Sequence, residues 1–156
     1  MLAAKTIRTL VDVRARPRSA RHPQHAQERL RKALEAAGIE YHWAGRLLGG
    51  LRNPRADSRH RALADDGLRG FADYMEGREF QRAFGQLASL AEKQPPLAFM
   101  CAERDPAHCH RSLIADYLVA SGRNVIHLLD PGTDKAHALN SRARRESKTL
   151  VYDLDS

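Results

Sequence analysis

The chain has 156 residues, which fits one domain, and we predict a single domain over residues 1–156. Hydrophobic residues make up 42% and charged residues 29%, a balance that excludes a disordered protein. The apolar runs are too short to span a bilayer, and residues 1–10 lack the apolar core of a signal peptide, so we expect no membrane segment and a location in the cytoplasm.

The chain is strongly basic, with a formal net charge of +7 and a pI of about 9.9. Such a surface attracts anions, which makes a nucleotide or nucleic acid the expected partner. An arginine-rich composition inherited from a GC-rich genome explains the same charge equally well. Net charge bears on association and not on fold, so the composition alone leaves both interpretations open.

The first half of the chain predicts two strands around one helix. Residues 7–13 are β-branched and mostly apolar, as in a buried strand, and the arginine- and proline-containing stretch 14–23 follows as a loop. A helical period comes next, and Gly38 stands where it can end that helix in a left-handed conformation. Residues 39–43 predict a second strand, followed by a loop over 45–57.

The second half predicts a helix in two pieces and two further strands. Residues 68–93 keep a helical period with a break near Gly77, and residues 97–101 are apolar enough on both faces to predict a central strand. The remaining predicted elements are a helix that ends at Gly122, a fourth strand over 125–129, a basic and mobile tail over 135–148, and a short edge strand over 150–152.

This alternation of strands and helices predicts the α/β class, with a three-layer, mainly parallel sheet and helices on both faces. In open parallel sheets, ligands bind beyond the carboxyl ends of the strands. Two polar segments leave strands at that edge: one begins Asp12-Val13-Arg14, and the other runs from Cys101 to Ser112. We therefore expect the functional site where these two segments meet.

Arginine and carboxylate side chains in these segments suggest an anion site. Arg14 and Arg111 are predicted to bind the anion, because a guanidinium fits phosphate and Arg111 stands at a predicted helix start, where free N–H groups favour negative charge. Glu103 is predicted to act as a general base or to orient an arginine, and an ion pair at the sheet edge is the alternative. Asp12 is expected to accept backbone hydrogen bonds in the following loop.

The two cysteines are expected to be free thiols or ligands, because a chain without an export signal rarely carries a structural disulfide. Cys109 lies beside His108, His110 and Arg111 near a helix start, surroundings that lower a thiol's pKa, so it is the better candidate for a reactive thiol, assisted by His110. Cys101 ends a buried strand and is either a small core residue or a nucleophile.

A metal site is the alternative use of the same side chains. Two sulfurs and two imidazoles are suitable zinc ligands, but the spacing of Cys101, His108, Cys109 and His110 differs from the familiar zinc patterns. The neighbours Cys109 and His110 are also expected to strain when reaching one ion. The leading interpretation therefore includes no metal ligand, and the cofactor is left unknown.

Taken together, these motifs resemble the domain-of-unknown-function family numbered 488. The resemblance covers about residues 7–152 and implies a compact α/β domain with no settled reaction. Ser19 and Cys101, which belong to its motifs, are added to the predicted ligand-binding residues. The motifs are Leu10-Val11-Asp12-Val13-Arg14 with Pro17 and Ser19, Gly38-Ile39-Glu40-Tyr41, Leu48-Gly49-Gly50, Cys101-Ala102-Glu103, Cys109-His110-Arg111, and Gly122 with Val125-Ile126-His127.

One departure from the family lies at the start of the chain. Members open with a strand that ends Thr-Ile-Gly-His-Ser and continue into a helix, whereas residues 1–4 look like the tail of that helix. We expect the first strand to be absent and one sheet edge to be exposed. An exposed edge pairs readily with a second chain, so a homodimer is predicted.

The leading hypothesis is an α/β domain that binds a phosphate-bearing ligand, either a nucleotide or nucleic acid. Its predicted catalytic residues are Glu103, Cys109 and His110, and its predicted ligand-binding residues are Arg14, Arg111, Ser19 and Cys101. Two alternatives remain, a thiol or metal site and a non-catalytic interaction module. Whether the protein is an enzyme is left open.

Overall fold

The computed structural model describes residues 6–15, 26–50, 52–101, 109–130 and 133–154. Its elements in chain order are β1 (Thr9–Asp12), α1 (Gln27–Ala36), β2 (Glu40–Trp43), α2 (Gly45–Leu48), α3 (Asp66–Met75), α4 (Arg78–Lys93), β3 (Leu97–Met100), α5 (Arg111–Ala120), β4 (Ile126–Asp130), β5 (Thr133–Ala136), β6 (Ala143–Glu146) and β7 (Thr149–Tyr152). None of the helices in these ranges is long and apolar enough to cross a membrane.

A parallel sheet of three strands organises the domain, in the order β2-β1-β3. β1 is therefore the central strand, and all four of its residues are buried. The prediction that β3 is central is wrong, since β3 lies at an edge and its residues are only half-buried. A run that is apolar on both faces shows that a strand is covered, but it does not show how many strands it pairs with.

The other strands form two antiparallel pairs, β4 with β5 and β6 with β7. The chain is thus a mixed helix–strand protein with a small parallel sheet, and the predicted fourth parallel strand pairs elsewhere. β4 takes as its partner the segment that follows it in the chain, a pairing that costs little loop-closure entropy.

The segment 135–148, predicted to be a basic and mobile tail, contains the end of β5 and the whole of β6, and its mobility stays a prediction. Its strand β6 pairs with β7, whose Val151 and Tyr152 are fully buried in the structure. Arg144 of β6 also donates two hydrogen bonds to the carboxylate of Asp153, at 2.8 and 2.9 Å. The basic residues of β6 face outward, so the sequence of this segment does not indicate that it pairs with an apolar strand.

Several local predictions are confirmed. Helix α3 ends at Met75 and α4 begins at Arg78, with the break at Gly77. Gly38 follows α1 with a φ of +78°, a left-handed conformation that glycine adopts without steric cost. The predicted loop 45–57 differs in one respect, because it contains the short helix α2.

Because β1 and β3 are parallel neighbours, their carboxyl ends lie side by side at the same end of the sheet. Just beyond the paired residues, the N–H of Val13 donates to the carbonyl of Met100 at 2.9 Å. Arg14 and Cys101 follow these two residues directly, so the start of each polar segment lies at this end of the sheet. Helix α5, which begins at Arg111, packs its buried residues into the main core beside the same edge.

Candidate functional site

Three side chains converge beyond the ends of β1 and β3. Cys101 follows β3 directly, while Cys109 and His110 lead into α5. The two Sγ atoms and an imidazole nitrogen of His110 all lie within 4.8 Å of one another. Nδ1 of His110 is 3.8 Å from Sγ of Cys101 and 3.6 Å from Sγ of Cys109. The side chains of the neighbours Cys109 and His110 thus lie close together, and the predicted strain on reaching one ion stays a prediction.

The tautomer of His110 follows from its hydrogen bond. Its Nε2 lies 3.2 Å from the carbonyl oxygen of Val13, and since a carbonyl only accepts, Nε2 carries the proton of the neutral ring. Nδ1 is then left with a lone pair directed at the two sulfurs. The ring is 8% exposed and packs edge-on against Phe71, with ring centroids 4.8 Å apart.

Gly50 borders the same face of the imidazole. A Cβ atom at this position would lie 3.1 Å from Nδ1 of His110, closer than most real Cβ contacts. A larger residue would crowd the nitrogen that faces the sulfurs. The Gly49-Gly50 pair thus allows the chain to pass close to the site without filling it.

The two thiols differ in exposure, and the more exposed one is not the one that the sequence analysis favours as the reactive thiol. Cys109 is 3% exposed and Cys101 is half-buried. A hydrogen bond with Cys101, together with burial, raises the pKa of Cys109. The N–H of Arg111, which donates to Sγ of Cys109 at 3.4 Å, and the positive charge of Arg111 oppose this rise without cancelling it. Cys101 is therefore the thiol that a solvent reagent reaches more easily.

Arg14 lies at the same sheet edge, but its guanidinium pairs with Asp12. Its Nε donates to Oδ1 at 2.9 Å and its Nη2 to Oδ2 at 2.7 Å, and Arg14 and Asp12 are 5% and 0% exposed. Burial lowers the pKa of Arg14, but the hydrogen bonds to Asp12 outweigh it and raise that pKa overall. The predicted contact of Arg14 with an anion stays a prediction.

Asp12 has the structural role expected of it. Its Oδ1 accepts a hydrogen bond from the backbone N–H of Arg14 at 3.1 Å, and its Oδ2 accepts one from the hydroxyl of Tyr41 at 2.6 Å. Burial and the hydrogen bond to Asp12 raise the pKa of Tyr41. Glu103, Ser19 and His108 lie outside the described residues. Arg111 begins α5 with a half-buried side chain, and its predicted contact with a ligand is likewise untested.

A second polar cluster, missed by the sequence analysis, is centred on Asp116 of α5. The carboxylate of Asp116 accepts hydrogen bonds from Nε2 of His137 at 2.7 Å and from the hydroxyl of Tyr152 at 2.9 Å. The backbone N–H of Asn140 donates to the same carboxylate at 3.1 Å. Nε2 of His127 lies 2.7 Å from Nδ1 of His137, which extends the chain of hydrogen bonds outward. The signal that could have revealed it is Asp116 itself, an acid on the buried face of a helix.

The hydrogen-bond directions in this cluster set the tautomers of both rings. Because the carboxylate of Asp116 only accepts, Nε2 of His137 donates and its Nδ1 accepts from Nε2 of His127. Burial lowers the pKa of His127 to about 4, and the nearby positive charges of Arg111 and Lys135 act in the same direction. His127 is therefore neutral at pH 7.

Stability is expected to fall as the pH drops from about 6.5 to about 4, because unfolded His127 takes up a proton near its ordinary pKa while the folded protein does not. The expected loss is about 1–2 kcal/mol once solvent screening of a partly exposed ring is allowed for. Urea unfolding at pH 7 and pH 4.5, compared between the wild type and His127→Gln, measures it. Carboxylates also lose stabilising ion pairs in acid, so the effect of His127 is the difference in pH dependence between the wild type and His127→Gln. Equal pH dependence of the two proteins would contradict a lowered pKa of His127.

A third cluster, of His60, Asp73 and Glu76, has ligand-type atoms just as close together but a structural role. The backbone N–H of Tyr152 donates to Nδ1 of His60 at 3.2 Å, so the proton of the neutral ring sits on Nε2, which faces Oε1 of Glu76 at 3.2 Å. A metal ion at Nε2 would have to displace that proton. Burial lowers the pKa of His60, and arginine side chains already pair with Glu76.

The fold and the site define a small mixed α/β domain with a cluster of two thiols and one imidazole beyond the edge of a parallel sheet. A family model described as the domain of unknown function DUF488 matches residues 1–118, most of the chain, and the chain belongs to this family. The resemblance noted in the sequence is thereby confirmed. The match includes Cys101, Cys109 and His110 and ends before His127 and His137. Comparison with curated proteins and with solved structures gives no significant match.

Proposed function

We propose that this protein binds a thiophilic divalent metal ion, with zinc as the best fit, at Cys101, Cys109 and His110. The spacing of the ligand atoms carries the proposal. Zinc–sulfur and zinc–nitrogen bonds of ordinary length at a tetrahedral angle put the two ligand atoms about 3.6 Å apart. The Sγ–Nδ1 distances of 3.8 and 3.6 Å match this value, and the two Sγ atoms lie within 4.8 Å of each other.

The orientation of His110 also supports a metal ion. Histidine ligands usually donate their second ring N–H to a carbonyl or carboxylate, which holds the ring in place and leaves the other nitrogen free to coordinate. The contact between Nε2 of His110 and the carbonyl oxygen of Val13 has this arrangement. Val13 directly follows the buried central strand β1, so the ligand is held by the segment that leaves this strand.

The number of ligands bears on what the metal ion would do. Two thiols and one imidazole supply three of the four positions in a tetrahedral shell, and no fourth ligand joins the cluster among the described residues. Zinc sites with three protein ligands and one open position are typical of catalysis, whereas closed four-ligand sites are structural. We propose an open site, in which a ligand or substrate atom takes the fourth position.

A phosphate-bearing ligand, either a nucleotide or nucleic acid, is the second proposal. Its support is the net charge of +7 and the position of Arg111, a half-buried cation directly after two of the metal ligands. We propose alongside it the cytoplasmic location, helices on both faces of the parallel sheet, and a homodimer. Binding of labelled oligonucleotides to the wild type and to Arg111→Ala, measured across a salt series, tests the nucleic-acid proposal. If both proteins bind equally well and their affinity falls steeply with salt, the binding is non-specific attraction to the net positive charge, and the proposed role of Arg111 is wrong.

Purified without chelator, the wild type is expected to hold close to one zinc ion per chain, measured by elemental analysis. Zinc at 100 times its dissociation constant is expected to raise the free energy of unfolding by about 2.7 kcal/mol. Cys101→Ser is expected to weaken zinc affinity more than about 100-fold, beyond the loss typical when a residue supporting a ligand is changed. Competition with a chromophoric chelator measures that affinity.

His127→Gln provides the matched control, since it removes an imidazole outside the cluster and should keep wild-type affinity. Cys101 is half-buried, so its serine variant is a smaller risk to the fold than a change at Cys109. Far-UV circular dichroism confirms that each variant is folded before its affinity is compared. Wild-type protein with less than a tenth of a zinc ion per chain, even after reconstitution, or equal affinity in Cys101→Ser, would disprove the metal site.

A further inference from the structure

Neither Cys101 nor Cys109 is in a disulfide, and their sulfur atoms lie within 4.8 Å of each other. They are neighbours in space although seven residues separate them in the chain. Neither lies inside a helix or strand, since Cys101 follows β3 and Cys109 precedes α5. Movement of the sulfurs toward each other therefore does not require a backbone hydrogen bond of β3 or α5 to break, although Sγ of Cys109 gives up the hydrogen bond that it accepts from the N–H of Arg111.

We propose that Cys101 and Cys109 form a reversible internal disulfide by exchange with a low-molecular-weight disulfide such as glutathione disulfide. A disulfide bond is about 2.05 Å long, so the sulfurs must approach from their present separation. The effect of this disulfide on metal binding rests on the proposed function. The bond would remove two of the three proposed metal ligands, so oxidation and metal binding would exclude each other. Disulfides in reducing compartments are usually transient ones of this regulatory kind.

The exchange proceeds in two steps that balance in atoms and electrons. The sulfur of Cys101 attacks one sulfur of glutathione disulfide, which forms a mixed disulfide on Cys101 and releases one glutathione thiolate. The sulfur of Cys109 then attacks the Cys101 sulfur of that mixed disulfide, forms the internal bond and releases the second glutathione. The two thiol protons end on the two glutathione molecules, so the protein loses two electrons and glutathione disulfide gains them.

Exposure assigns the two roles. Cys101 is half-buried and open to a dissolved reagent, whereas Cys109 is only 3% exposed and shielded from one. Cys101 is therefore the thiol that reacts first, and Cys109 is the thiol that resolves the mixed disulfide. His110 contacts both sulfurs through Nδ1 and holds them on the same side of its ring.

The test uses the full chain, reduced and stripped of metal, incubated with glutathione disulfide and read by intact mass after alkylation of the remaining thiols. The wild type is expected to lose two hydrogen atoms, to take up no alkyl group, and to recover both thiols with dithiothreitol. Cys109→Ser is expected to accumulate one glutathione on Cys101, because the resolving thiol is missing. Cys101→Ser is expected to react at least 10-fold more slowly, because Cys109 is shielded. If Cys109→Ser does not fold, Cys109→Ala takes its place.

The two proposals fail separately. A wild type that keeps both thiols, or that accumulates glutathione without closing the internal bond, would overturn the disulfide whatever its zinc content. Disulfide formation in metal-free protein supports the inference even if zinc never binds, and in that case the metal site alone is wrong. If both hold, zinc-loaded protein is expected to oxidise at least 10-fold more slowly than metal-free protein, and zinc is expected to leave as the disulfide forms.

Discussion

Asp12→Ala is expected to lower the free energy of unfolding by about 3–5 kcal/mol, the cost of leaving one charge of a buried ion pair without its partner. Asp12 is fully buried and holds the 5% exposed guanidinium of Arg14 through two hydrogen bonds. The same carboxylate accepts the Tyr41 hydroxyl at 2.6 Å and the N–H of Arg14 at 3.1 Å. Urea unfolding at pH 7, followed by circular dichroism, measures the loss.

Two matched variants separate the buried charge from the hydrogen bonds. Tyr41→Phe removes one hydrogen bond to Asp12 and is expected to cost only about 0.5–1.5 kcal/mol. The double variant Asp12→Leu with Arg14→Met removes both charges and is expected to recover much of the stability, because apolar side chains often replace a buried ion pair at little cost. A single Asp12→Ala that destabilises no more than Tyr41→Phe would contradict this account of the sheet edge.

Asp116→Ala is expected to lower the free energy of unfolding by about 2–4 kcal/mol, because it leaves buried donors without their acceptor. The carboxylate is 1% exposed and accepts from His137, Tyr152 and Asn140. These donors come from the chain after β5 and from β7, so Asp116 joins both antiparallel pairs to α5. Hydrogen exchange is expected to show lost protection in β4 and β5, besides the fall in global stability by urea unfolding.

Asp116→Asn serves as the graded control. It keeps one oxygen acceptor in place of the carboxylate, so it is expected to destabilise less than Asp116→Ala. Asp57→Ala, which changes an aspartate whose side chain is 88% exposed, is expected to stay within about 0.5 kcal/mol of the wild type. If Asp116→Ala resembles Asp57→Ala, the cluster of His127, His137 and Asp116 does not hold these strands in place.

Local patterns in the sequence predict the elements whose partners lie close along the chain. The helical period over residues 68–93, its break at Gly77 and the end of a helix at Gly38 are all confirmed. A helix depends on contacts between residues three or four positions apart, and a glycine that ends it acts on its own backbone. Such information is present in any short window of the chain.

Strand pairing is long-range and is therefore where the predictions are wrong. Among the described strands, β3 lies at an edge of the parallel sheet, β4 pairs with β5 instead of joining that sheet, and β6, which the sequence analysis does not predict, pairs with β7. The composition of a strand does not predict which strand it pairs with, because the hydrogen bonds between strands come from backbone groups that nearly all residues share. The outward-facing charges of β6 conceal its role further.

By itself, the sequence determined the family and the chemistry that meets at the edge of the sheet: two thiols, one imidazole and the arginines that follow β1 and begin α5. Only the tertiary structure decided how these groups are arranged. It brought Cys101, Cys109 and His110 within 4.8 Å, buried Cys109 instead of Cys101, and paired Arg14 with Asp12. The physical reason is that a side chain's exposure, tautomer and charge partner depend on neighbours distant in the chain, such as the carbonyl of Val13 that holds His110.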